Sequence, residues 1–96
     1  MPETIFEWDD SKNRINIQKH GISFNEAVTV FQDENALIIS DDEHSKQEER
    51  FIILGLSHTP RLLVVCHCYR GEDSIIRIIS ARKASKHESE QYGGVL

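Results

Sequence analysis

The sequence predicts an α+β domain: an antiparallel sheet of four to five strands, two N-terminal helices packed on one face, and a short C-terminal helix. Three observations predict it. Helix signals, with caps and an apolar stripe, fall within residues 9–32; β-prone runs separated by turns fill residues 36–82; and a capping pattern returns at Ser85. Helices grouped beside consecutive antiparallel strands form separate layers, unlike the alternating βαβ pattern of a parallel sheet. At 96 residues the chain fits a single domain, 1–96, with one modest core.

Thr4 to Trp8 reads as a short strand, because Ile5, Phe6 and Trp8 are β-prone. Asp9 or Asp10 caps a helix from about Ser11 to His20, and Gly21 suits the left-handed residue after it. Ser23 and Glu26 have the S-x-x-E spacing of a capping box. Phe24, Ala27, Val28 and Phe31 then fall at i, i+3, i+4 and i+7, an apolar stripe for packing on a sheet, in a helix reaching about Gln32.

Ala36 to Ser40 is the next strand, followed by the acidic loop Asp41, Asp42 and Glu43. Arg50 to Leu56, Leu62 to Tyr69 and Ser74 to Arg82 are three more. Pro60 marks one turn, and Arg70, Gly71, Glu72 and Asp73 make the turn of an antiparallel hairpin. Ser85 and Glu88 repeat the capping-box spacing and start a helix to about Tyr92.

No apolar run approaches the ~20 residues of a membrane span. The opening Pro2, Glu3 and Thr4 is unlike a secretory leader, so a cytoplasmic protein is expected. Cys66 and Cys68 share a strand face, and a bridge between them would have poor geometry. Cys-His-Cys at residues 66–68 lacks the second ligand pair of a structural zinc site, so buried free thiols and no metal or other cofactor are expected. The net charge of −5 is unevenly spread: residues 1–49 hold 12 acids and 4 Lys/Arg, residues 50–96 hold 4 acids and 7 Lys/Arg. A basic face on an acidic protein can still attract phosphate.

The blocks Phe6-Glu7-Trp8-Asp9, Lys19-His20-Gly21-Ile22-Ser23-Phe24, Glu49-Arg50-Phe51 with Gly55 beyond, and Arg77-Ile78-Ile79-Ser80-Ala81-Arg82-Lys83-Ala84 resemble, in this order, the signature of the BrnT toxin family. The resemblance runs over roughly residues 5–92. It implies a RelE-like fold, endoribonuclease activity without a metal, and neutralisation by a BrnA-like antitoxin within a type II toxin–antitoxin system, with DNA reached only through the antitoxin. It does not choose between free RNA and ribosome-bound messenger.

Metal-free RNA cleavage needs a base for the 2′-hydroxyl, an acid for the leaving oxygen and cations around the phosphorane. His20 is the leading acid–base candidate, with Lys19 beside it; on residues alone, both also suit the negative end of a helix dipole. His44 and His58 fall in loops, His67 in a strand and His87 in the last helix, and all four are weaker candidates. Arg50 and Arg82 are the phosphate clamps, each at a strand end; Arg50 also suits a surface pair with an acidic neighbour. Arg77 and Arg82 are five apart, so in an unbroken strand they point to opposite faces, and only a bulge would unite them. Arg77 is a further substrate contact. Trp8 offers a stacking surface for a base, and equally a side chain that packs the first helix on the sheet. Arg70 reads as a solvated turn residue.

The competing function is a non-catalytic antitoxin-binding module that acts as a transcriptional co-repressor. The catalytic reading expects Lys19, His20, Arg50 and Arg82 to line one pocket, with Trp8 at its edge. Acidic residues 33–49 favour a protein partner with basic segments. No helix carries a row of Arg or Lys suited to a major groove.

Overall fold

The computed structural model describes residues 4–44, 46, 48–72 and 74–93. Strand β1 (Ile5–Glu7) leads into helices α1 (Asp10–His20) and α2 (Phe24–Thr29), the latter extended by a 3-10 turn, Val30–Gln32. Strands β2 (Leu37–Ser40), β3 (Phe51–Leu56), β4 (Leu62–Arg70) and β5 (Ile75–Lys83) follow, and helix α3 (Lys86–Tyr92) closes the described chain. Asp73 of the predicted hairpin turn lies outside the described residues.

The five strands form one sheet in the order β1-β5-β4-β3-β2. Neighbours among β2 to β5 are antiparallel, as the sequence predicts. The departure is β1, which pairs in parallel with β5, Ile5 opposite Ile75 and Glu7 opposite Arg77. Both helices lie between β1 and the later strands in the chain. That long connection lets β1 return alongside the last strand in the parallel sense, where a tight turn would force an antiparallel pair.

The expected caps form. The Asp9 side chain accepts from Lys12 N–H, Gly21 adopts φ 71°, and the Ser23 side chain accepts from Glu26 N–H. The apolar stripe faces the sheet: Phe24 and Ala27 are fully buried, with Val28 and Phe31 packed against the same cluster. That cluster joins Ile22 and Val30 to Ile53, Leu63, Val65, Ile76, Ile78 and Ala81, and so fixes the helical face of the sheet. Burying each such large side chain contributes roughly 1.5–3 kcal/mol. A Cβ on Gly55 would come within 3.0 Å of both Ala36 Cβ and Val30 Cγ1, so the 3-10 turn sits tightly on β3 there.

Helix α3 packs on the far face. Its Tyr92 is buried with Leu54 and Val64, and its hydroxyl donates to Asp33 Oδ2 at 2.5 Å. Burial and the Asp33 carboxylate push the Tyr92 hydroxyl up to about 12.

The free edge of β5 is closed by a side chain. β1 covers only residues 75–77 of β5, and beyond it Asn16 on α1 takes the place of a neighbouring strand. Its amide nitrogen donates to the carbonyls of Ala81 and Ile22, both at 2.8 Å, and its oxygen accepts from Ala81 N–H at 3.1 Å. This buried amide fixes α1 along the sheet edge.

Candidate active site

The capping-box glutamate of α2 turns away from its own helix end. Glu26 is 7 % exposed and its carboxylate accepts from Ser57 Oγ and Thr59 Oγ1, both at 2.7 Å, and from Arg61 Nε at 2.9 Å, while Arg61 Nη2 pairs with its other oxygen. The Arg61 guanidinium, with the two hydroxyls, holds this carboxyl down at about 2 against burial. Arg61 also donates to Gly21 C=O at 3.4 Å. This network ties α2 and the end of α1 to the β3–β4 turn, and its role is structural.

The arginines expected from the sequence to hold phosphate lie on the far face. A depression of about 360 Å³ is lined there by Arg50, Arg82, Ser80, Asp41 and Glu43 around an apolar floor that includes Ile52, Val64 and Ile79. Arg50 precedes β3, and Asp41 and Glu43 come from the acidic loop after β2. Asp41 N–H donates to Arg50 C=O at 2.8 Å and keeps that loop beside the strand.

A β-bulge places the arginines. Cys66 of β4 faces Ser80 but His67 faces Ile78, so Ile79 is an extra residue in β5. Before the bulge Arg77 stands opposite Cys68; after it Arg82 stands opposite Val64. Cys68 and Val64 are an even number of residues apart on an unbroken strand, so both arginines project from the same face. The phase of an unbroken strand, which sets them on opposite faces, does not apply.

The arginines on this face alternate with carboxylates. Arg77 pairs with Glu7 at 3.4 Å, Glu7 with Arg70 at 3.8 Å, Arg70 with Glu48 at 3.3 Å, and Glu48 with Arg50 at 3.9 Å. Arg70 therefore bridges two acids and is not simply a solvated turn residue. Arg82 is gripped by Glu88 of α3 through two bonds of 2.8 Å, and its Nη1 also donates to Lys83 C=O at 3.3 Å. The contact raises the Arg82 pKa and, together with the Ser85 N–H, holds Glu88 at about 2. A guanidinium has five N–H donors. Those contacts use three and leave the Nε–H and the second Nη2–H, which lie on one side of the guanidinium, without a partner among the described residues.

Lys19 and His20 stand at the C-terminal end of α1, Lys19 exposed and His20 half-buried, and neither lines the depression. The structure thus unites Arg50 and Arg82, sets Arg77 farther along the same face, and leaves Lys19 and His20 outside. Trp8 stands edge-on to Phe24 with centroids 6.1 Å apart, packed against the core of the helical face.

His67 is fully buried among Phe31, Phe51 and Tyr69, and burial pushes its pKa down. Cys66 and Cys68 are free thiols. Cys66, half-buried at the depression floor, is pushed up to about 11, chiefly by burial, so it is a poor nucleophile. Among the described residues, no three His, Cys, Asp or Glu side chains cluster as metal ligands, and no helix is long and apolar enough to cross a membrane.

Sequence reasoning missed Glu88, Ser80, Asp41 and Glu43 as site residues. The Ser85–Glu88 spacing was visible and its capping box forms in full, but nothing in it signals that the same carboxylate grips Arg82.

A family model described as the ribonuclease toxin BrnT of a type II toxin–antitoxin system matches residues 8–88. The crystal structure of the Brucella abortus ribonuclease toxin BrnT superposes with a TM-score of 0.64 at 23 % identity, covering 90 % of this chain and 100 % of that one. At that identity the likeness concerns the fold. No curated protein matches the chain.

Proposed function

This chain belongs to the BrnT family, ribonuclease toxins of type II toxin–antitoxin systems, and from that premise we propose that it is an endoribonuclease that cleaves RNA without a metal at the far-face depression and is neutralised by a BrnA-like antitoxin in the cytoplasm. One observation carries the reading: the bulge at Ile79 sets Arg77 and Arg82 on one face, with Arg50 beside Arg82.

The chemistry follows from the residues present. The 2′-hydroxyl of one nucleotide attacks the adjacent phosphorus and loses its proton, the P–O bond to the 5′-oxygen breaks, and that oxygen takes up a proton. A cyclic phosphate and a 5′-hydroxyl result. Arg50 and the open fork of Arg82 hold the non-bridging oxygens and offset the charge that develops on them. Arg70 and Arg77 form a track for neighbouring phosphates. Exposed ion pairs like theirs contribute only about 0–1 kcal/mol each, so incoming phosphates displace Glu7 and Glu48 at little cost. Asp41 and Glu43 are the acid–base groups nearest a phosphate held in the depression. His20 and Lys19 act only on a strand that passes round the β5 edge to the C-terminal end of α1, whereas Trp8 precedes the opposite end of that helix.

The test is alanine replacement of Arg50, Arg82, Asp41, Glu43, Lys19 and His20 in turn, scoring RNA cleavage by the purified protein with folding checked by thermal melt. Arg82→Ala is expected to lower cleavage about 10²–10³-fold. Full cleavage by folded Arg50→Ala and Arg82→Ala proteins would remove the depression from the mechanism. Full cleavage in a chelator is the expected result for metal independence.

A further inference from the structure

The sheet ends at β2, and β2 is unusual for an edge strand. Its side chains are aliphatic on both faces: Leu37 is 42 %, Ile38 54 % and Ile39 58 % exposed. Leu37 and Ile39 pair with Leu54 and Ile52 and point to the far face, while Ile38 pairs with Ile53 and points to the helical face. Proteins ordinarily protect a sheet edge with charges, proline or a bulge placed on the strand itself, and β2 carries none of these.

The backbone is equally available. Asp41 N–H bonds to Arg50 C=O, which marks Asp41 as a residue whose backbone groups face β3. In an antiparallel ladder inward-bonding residues alternate. Leu37 and Ile39 therefore also bond to β3, whereas Ile38 and Ser40 present their N–H and C=O groups outward. No strand among the described residues pairs with this edge.

Charge selects the occupant. Exposed Glu34 lies before the strand, and Asp41, Asp42 and Glu43 lie directly after it. A second copy of this chain added antiparallel would set each acidic end against the other's, an arrangement that like charges oppose. A strand with aliphatic residues in the middle and Lys or Arg at its ends matches all three features.

We propose that the outer edge of β2 is the docking site for a partner protein, which adds one antiparallel or parallel strand of this aliphatic, basic-flanked composition by backbone pairing. The proposal rests on the reading that this toxin has an antitoxin, and assigns that antitoxin its point of attachment. The location also explains how binding acts on the site. The strand runs straight into Asp41 and Glu43, which line the depression with Arg50 and Arg82. A chain laid against β2 and extended past Ser40 covers that rim and competes with RNA for it.

The experiment uses the full chain and the product of the adjacent gene as probe, measuring their dissociation constant and, on the same preparations, RNA cleavage by the toxin alone. Ile38→Pro deletes the outward N–H without touching the bonds to β3, a placement that edge strands tolerate. Ile38→Lys keeps the N–H but sets a cation against the basic partner. Folding is checked by thermal melt, and Ile38→Lys carries the test if the proline variant unfolds. The expected result is at least tenfold weaker binding by both variants, with cleavage by the free toxin unchanged. Wild-type affinity in the folded variants overturns the proposal, as does no binding by the wild-type chain. A wild-type homodimer that Ile38→Pro dissolves also overturns it, because the occupant is then a second copy. Edge-dependent binding by a chain that does not cleave RNA supports the docking site while the ribonuclease reading fails.

Discussion

Replacing Glu26 by glutamine keeps the shape of the α2 network and removes its charge. The carboxyl is held at about 2 against 4.5 for an ordinary glutamate. That difference favours the charged folded form by about 3 kcal/mol. Glutamine retains an oxygen for Ser57, Thr59 and Arg61 Nε but loses the carboxylate charge and turns an NH2 donor towards Nη2 of Arg61, whose side chain is 34 % exposed and stays partly solvated. The expected loss at pH 7 is therefore about 2–3 kcal/mol, below the ~3–5 kcal/mol of stranding a fully buried charge. In a domain of this size that lowers Tm by roughly 10 °C or more. The sign with pH is fixed: a carboxyl depressed on folding contributes its stability above the unfolded value of 4.5 and loses it as pH falls towards about 2. Urea unfolding of both proteins, followed by fluorescence of Trp8 at pH 7, 5, 4 and 3, measures the difference at each pH. Glu88 and Asp33 titrate alike in both proteins and cancel. A difference under ~0.5 kcal/mol at pH 7, or one unchanged between pH 7 and 3, would refute the reasoning, since a net stabilising charge must show both its size and its titration.

Two further outcomes are expected. His67 folds neutral with its pKa depressed by burial, so wild-type stability relative to His67→Leu should decline as pH falls below 6.5 towards the lower folded value; a flat difference between pH 7.5 and pH 5 in paired urea titrations speaks against this. Asn16→Ala strands both backbone groups of Ala81 on a buried strand edge, and should cost about 2–4 kcal/mol in the same assay; a loss under ~0.5 kcal/mol would mean that water replaces the amide without penalty.

The elements set by local chemistry were legible. Asp9, Gly21, Ser23 and Ser85 mark helix ends because a cap needs only residues a few positions apart. The β4–β5 hairpin was legible from its turn residues. Long-range choices were not. Three residues of β1 carry no signal of a partner some seventy positions away, so the parallel pairing with β5 could not be read. Glu26 fitted a capping box because the sequence does not show Arg61 approaching it, and a charged pair outcompetes a backbone N–H for a carboxylate. At the candidate site, which arginines share a face is legible only in part. Arg50 and Arg82 meet, but strand phase separates Arg77 from Arg82 unless the bulge is known, and Ile79 has no glycine to announce it. Lys19 and His20 were grouped with them by shared family blocks, and adjacency in a motif does not fix which face a helix end adopts.

The extra residue at Ile79 makes β5 two half-strands in opposite phase, spliced at one point. The backbone conformation there carries information of its own. Flattening the splice with every residue kept would rotate Ser80 and Arg82 to the interior side while bringing Ala81 and Lys83 out, whereas deleting Ile79 would restore plain alternation and leave both arginines on one face. The flattening would exchange a hydrophobic plug for a cation in the core and strip the outer surface of its anchor, with no substitution at all. For anyone grafting this surface onto another scaffold, the unit to transplant is the bulge between residues 77 and 82 as much as the arginines on either side of it.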